Sequence, residues 1–195
     1  NEGKSTSALA LAAVLASTKK RILLIDGDMR NPSLHQMLGK KNTEGLSNYL
    51  AGEDDLSKLI HEDALYGFDA MAAGPIPPNA AELLSSTRMR ELVVKLTDTY
   101  DTVIIDAPPV LGLADIPLLA DSVEGVIYTI EAGGVKLRGI QAAIERVRSS
   151  HAHIFGGIVT RCRLSIPDTA TPMSIPMAKK LRKSSSRERT DPKGW

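Results

Sequence analysis

The chain has 195 residues, 43% of them hydrophobic and 24% charged, with a formal net charge of +1 and a single cysteine. This composition supplies the core of one α/β domain and leaves no global positive field to draw nucleic acid, so none is expected as a partner. It excludes an internal disulfide and fits a reducing, cytoplasmic setting; no signal peptide is visible and no apolar run nears the ~20 residues of a membrane span.

The first residues, Asn1-Glu-Gly3-Lys4-Ser5-Thr6, match the closing half of the phosphate-binding loop G-x-x-x-x-G-K-[ST]. In that chemistry Gly3 lets the backbone close on a polyphosphate, Lys4 reaches the β and γ oxygens, and the Ser5 hydroxyl ligates magnesium. The chain opens inside this motif, so the expectation is a fragment missing its first strand and the opening glycine side of the loop. An Ala- and Leu-rich helix predicted over 4–18 turns its N-terminal amides and dipole toward the anion.

A strand predicted over 21–26 is apolar throughout and ends in Asp26-Gly-Asp28-Met-Arg30-Asn-Pro32, two carboxylates and a guanidinium spaced by two. Such a run reads as an interior parallel strand, whose C-terminal edge is where ligands of these sheets bind. The competing explanation is an acidic cap on the helix that follows. Helices are predicted over 32–38 and 45–51, then a strand over 67–72. Gly74-Pro-Ile-Pro-Pro-Asn79 is a rigid connector that launches helices over 79–84 and 86–98.

The strand predicted over 101–106 is a second apolar run ending in an acid, Asp106, suited to hold magnesium directly or through water; capping the Pro-rich turn after it is the alternative. A helix over 113–120, a strand over 124–131, a helix over 136–149 and a strand over 154–160 complete the pattern. Strands alternating with helices specify an α/β fold with a mainly parallel sheet and helices on both faces. His35 reads as a surface or capping histidine of the helix after Pro32, His61, His151 and His153 lack metal-ligand spacing, Glu53-Asp-Asp55 reads as a solvated turn, and Cys162 as an inert thiol.

The strings ILLIDGDMRNPSLH, GPIPPNAAELLSS, YDTVIIDAPPVLGLADIPLLAD and VEGVIYTIEAG resemble the cytoplasmic catalytic domain of bacterial tyrosine kinases of the capsular and exopolysaccharide family. The resemblance runs from residue 1 to about 160 in family order. It implies a phosphate-loop NTPase of the deviant Walker, partition-ATPase-like type that uses ATP and Mg²⁺. It further implies autophosphorylation on a C-terminal tyrosine cluster between subunits of a homo-oligomeric ring. A membrane-anchored polysaccharide co-polymerase or activator region is the implied partner, at the inner face of the membrane. Lys4 and Ser5 then match the loop lysine and magnesium hydroxyl, with Gly3 and Thr6 beside the phosphates. Asp26 matches the acid that accepts the proton of an incoming tyrosine, Asp28 supports the metal, and Asp106 is the magnesium-binding aspartate. Arg30 binds a phosphate or pairs structurally with an acid; both readings stay open.

Residues 161–195 depart from the family. They contain no tyrosine, and residues 179–195 carry a net +5, which leaves −4 for the rest of the chain. A basic tail of this kind is expected to be disordered, with contact to anionic lipid as a second reading. The codons of Thr169, Thr171, Met173, Ile175 and Met177 can each become tyrosine in the frame displaced by one base, so a frameshift near 160–168 is the expected origin of the tail. Two other functions stay open: a partition-type ATPase switch, and a non-catalytic regulatory subunit of an export complex.

Overall fold

The computed structural model describes residues 2–63, 65–109, 119, 122–134, 136–148 and 153–162, all within one compact unit spanning residues 1–162. The tail 163–195 and, except for the buried Leu119, the helix predicted over 113–120 lie outside the described residues.

Strand β1 (Ile22–Asp26) is buried at every residue, as its unbroken apolar run requires. Because side chains alternate across a strand, β1 feeds two cores. Leu23 and Ile25 pack with Leu46 and Tyr49 of α3 (Leu46–Ala51), Leu84 of α5 (Ala80–Leu84), and Met89, Leu92 and Leu96 of α6 (Thr87–Thr97). Ile22 and Leu24 pack on the other face with Ala12 of α1 (Lys4–Ala16) and Leu34 of α2 (Leu34–Met37). Helices therefore cover both faces, as the alternation of elements predicts.

The sheet order is β2-β3-β1-β4, with β3 (Phe68–Met71) and β4 (Thr102–Asp106) parallel to β1. Helix α4 (Leu56–Leu59) and strand β2 (Ile60–Asp63), which pairs antiparallel to β3, escape the sequence pattern. Ile60-His-Glu-Asp63 has two exposed polar residues at its centre and pairs through its backbone at a sheet edge, where no apolar alternation is needed. The acidic turn before α4 is also more structured than expected: Asp55 caps α4 by accepting from the Ser57 amide at 3.1 Å, and Asp54 pairs with Arg88 at 2.8 Å.

Strands β5 (Gly125–Glu131) and β6 (His153–Thr160) pair in parallel as a separate two-stranded sheet, with α7 (Leu137–Arg148) between them in sequence. The described strands thus form two sheets rather than one. Along β4 and β5 runs an apolar groove of about 800 Å³, lined by residues including Leu11, Ile104, Ile105, Val126 and Ile130, with Glu2 and Lys4 also in its wall. Among the described residues no helix is long and apolar enough to cross a membrane.

Leu92 is fully buried on α6 while Val94 on the same helix is 63% exposed. Leu92→Ala is expected to lower unfolding free energy by about 2–5 kcal/mol, and Val94→Ala by under ~0.5 kcal/mol, as read by urea denaturation. Equal effects would mean that α6 does not pack on β1 as described.

Candidate active site

The register of the two acidic strands decides the site. β1 and β4 run parallel with Asp26 opposite Asp106, so two strand-end carboxylates lie on neighbouring strands, which are spaced ~4.8 Å apart in such sheets. Both are buried, Asp26 at 0% exposure and Asp106 at 4%. The loop after β1 is drawn over the end of β4 by the Gly27 amide, which donates to the Asp106 carbonyl at 2.9 Å.

Asp26 is held by three backbone amides. Its Oδ1 accepts from Asp28 N at 3.2 Å, and its Oδ2 accepts from Ser33 N and Leu34 N, each at 3.0 Å. The acidic-cap reading of Asp26 is therefore realised in the geometry, and one lone-pair site on Oδ1 remains for other work. Burial is the chief cause that pushes the Asp26 carboxyl up to about 6; the three amides oppose it and Asp28 reinforces it. Asp28, 9% exposed, accepts from the Asn31 amide at 3.1 Å and shapes the turn toward Pro32.

The phosphate-loop residues reach the same place from α1. Gly3 precedes the helix with φ 76°, the left-handed region in which glycine alone is unstrained. A Cβ there would also come within 3.4 Å of the Thr160 methyl. The Ser5 hydroxyl receives a hydrogen bond from Ser33 Oγ at 2.8 Å and lies on the Asp106 side of the site. Lys4 donates to Glu2 Oε2 at 3.1 Å. Burial leads the causes that push Asp106 up to about 6; the Ser5 hydroxyl and the Lys4 charge oppose it, while Asp26 and Asp28 add to it.

Lys4, Ser5, Asp26, Asp28 and Asp106 are thus brought into one electrostatic cluster. Arg30 lies exposed beyond Asp28. Gly3 and the exposed Thr6 line a second pocket of about 280 Å³ with Ser7, Thr160 and Arg161. Thr160, the last residue of β6, staples the loop to that strand by donating to the Glu2 carbonyl at 2.8 Å. Arg161 follows at φ 53° and pairs with Glu131 at 2.7 Å. Ser33 is the residue missed by sequence reasoning. Its place before an apolar helical turn marks a cap, and nothing local points to a partner 28 residues away.

A family described as "AAA domain" matches residues 2–156. "Tyrosine-protein kinase YwqD" of Bacillus subtilis (strain 168) is 37% identical over 164 residues, covering 84% of this chain and 69% of that protein. The "putative tyrosine-protein kinase in cps region" of Klebsiella pneumoniae is 35% identical over 159 residues, 82% of this chain but 22% of its own length. Among solved structures, the kinase domain of Escherichia coli tyrosine kinase ETK superposes with TM-score 0.80 at 35% identity, covering 88% of this chain and 67% of that one.

A carboxyl whose folded pKa is raised from 3.8 to about 6 stabilises the fold fully below about pH 4 and loses that contribution as pH rises through 6. In EDTA the thermal midpoint is therefore expected to fall across that window. Asp106→Asn should flatten the fall and raise stability at pH 7.5 by ~1–3 kcal/mol. Asp26→Asn should instead destabilise at every pH, because an amide NH₂ cannot accept from the backbone amides that Asp26 holds. A thermal midpoint for Asp106→Asn below that of the unmodified chain at pH 7.5 would contradict the account of its burial.

Proposed function

This chain belongs to the AAA-domain family and to the bacterial tyrosine-protein kinases, and on that premise we propose that residues 1–160 are an ATP-dependent tyrosine-kinase domain serving capsular or exopolysaccharide synthesis and export. The observation that carries this reading is the convergence of the α1 N-terminus, Lys4 and Ser5 with Asp26, Asp28 and Asp106 at the ends of two parallel strands. The name of the Klebsiella relative, which places that protein in a cps region, supports the polysaccharide assignment.

The donor set fits magnesium. Ser5, Asp28 and Asp106 offer hard oxygen ligands, and buried carboxylates with raised pKa values are negative charge in want of a counter-ion. Among the described residues no group of three or more His, Cys, Asp or Glu could hold a metal ion. That suits magnesium, which is held by one or two carboxylates together with substrate phosphates and water. When bound, the ion would neutralise charge on the transferring phosphoryl group.

In this reading Lys4 exchanges Glu2 for the β and γ phosphates, and the amides that open α1 hold them in place. The phenolic oxygen of the substrate attacks the γ-phosphorus, the bond to the bridging oxygen breaks, and ADP leaves. The phenolic proton passes to Asp26, whose raised pKa makes it a better base than an exposed aspartate. Arg30 steadies the incoming phosphate or the loop, Thr6 a phosphate oxygen, and the pocket beside Thr160 and Arg161 receives the base.

None of the tyrosines within residues 1–195 is presented to the site. All four tyrosines of this chain, Tyr49, Tyr66, Tyr100 and Tyr128, are buried or half-buried. Tyr49 packs beneath Arg88 and Tyr100 donates to Asp69 at 2.7 Å. The domain would act in a homo-oligomeric ring beside a membrane-anchored activator region at the inner membrane face. That the chain spans 22% of the Klebsiella relative leaves room for such a region in that protein.

Incubation with ATP, Mg²⁺ and a tyrosine-containing copolymer should yield phosphotyrosine on the copolymer, reduced about 10²–10³-fold by Lys4→Met or Asp106→Ala. Phosphate release with no phosphotyrosine would replace the kinase with a partition-type ATPase switch. Neither product would leave a non-catalytic subunit.

A further inference from the structure

A serine that precedes a helix ordinarily spends its hydroxyl on the orphan amides of the first turn. Ser33 occupies that position before α2 and makes no side-chain cap. Asp26 has taken over part of the task by accepting the Ser33 and Leu34 amides, and this frees the Ser33 hydroxyl. It turns away from its own helix and donates to Ser5 Oγ at 2.8 Å, across 28 residues of sequence.

We propose that Ser33 is a positioning residue for the metal site: it fixes the rotamer of the Ser5 hydroxyl so that one oxygen lone pair faces the cation. A serine hydroxyl has one proton and two lone pairs. In Ser5 one lone pair is committed to the Ser33 hydroxyl, so a single lone pair remains for the cation. Without Ser33, the Ser5 side chain is free to sample its other staggered rotamers, and the cation must select one of them at an entropic cost.

The bond also closes a circuit. Asp26 holds the Ser33 backbone, Ser33 holds Ser5, Ser5 favours the charged form of Asp106, and Asp106 lies in register with Asp26 on the neighbouring strand. The acidic loop and the phosphate loop are thereby locked into one geometry before any ligand arrives, which is the condition for efficient positioning. Asp26 acquires a structural duty in this arrangement, because the orientation of Ser33 depends on it.

This inference rests on the reading of Ser5 as a magnesium ligand, and the experiment separates the two. Binding of a fluorescent ATP analogue to the 195-residue chain is titrated with Mg²⁺ and repeated in EDTA, for the unmodified chain and for Ser33→Ala, Ser33→Thr and Ser5→Ala, with thermal midpoints measured in parallel. Ser33→Ala should raise the Mg²⁺ concentration for half-maximal binding about 2- to 10-fold, while binding in EDTA stays unchanged. Ser33→Thr, which keeps the hydroxyl, should restore the Mg²⁺ response even if its thermal midpoint moves. An unchanged Mg²⁺ response in Ser33→Ala would overturn the proposal, as would equal losses with and without Mg²⁺, which mark a merely structural role. If the unmodified chain shows no Mg²⁺-dependent binding, or Ser5→Ala keeps the full response, the reading of the site itself fails and Ser33 falls with it.

Discussion

Two carboxylates held side by side in a buried place are the constraint around which this protein is arranged. Asp26 and Asp106 end neighbouring parallel strands in register, and neither reaches solvent to any useful degree. In water such a pair would be of little consequence. At the buried ends of β1 and β4 each carboxylate loses hydration, and Asp106 also feels the charge of Asp26. The fold answers with three backbone amides for Asp26 and with the Ser5 hydroxyl and the Lys4 charge near Asp106. The remaining excess of negative charge suits a site meant for a divalent cation.

The same constraint orders the loops. Because Asp26 is occupied with the amides of the turn after β1, the stretch from Asp28 to Leu34 has a defined path, and Ser33 is delivered to Ser5. The phosphate loop is held from the opposite side by Thr160 at the end of β6. Lys4 is retained by Glu2 rather than left unpaired. A ligand phosphate therefore meets a lysine that has to change one partner, in a loop whose neighbours are already fixed.

Most of the elements were legible in the sequence because their signals are strong and local. β1 and β4 are short apolar runs ended by acids, and α1 is a run of good helix formers behind a glycine. The elements that escaped have the opposite character. β2 is polar and exists through backbone pairing with β3, and α4 is a single turn built on Asp55. The division into two sheets was also hidden, since pairing between strands is decided by partners that a linear pattern does not name.

The sequence by itself determined the chemistry available: a Gly-Lys-Ser loop, two acidic strand ends, and strings that resemble one kinase family. Each of these is a matter of residue type and short-range spacing, which the chain carries whatever its tertiary contacts. Only the tertiary structure decided who faces whom. Strand register placed Asp26 against Asp106, burial raised both of their pKa values, and the turn after β1 gave Asp26 a cap's duty and Ser33 a partner across the site. Those outcomes depend on dielectric surroundings and on distances of about 3 Å between residues far apart in the chain, and no one-dimensional pattern encodes either quantity.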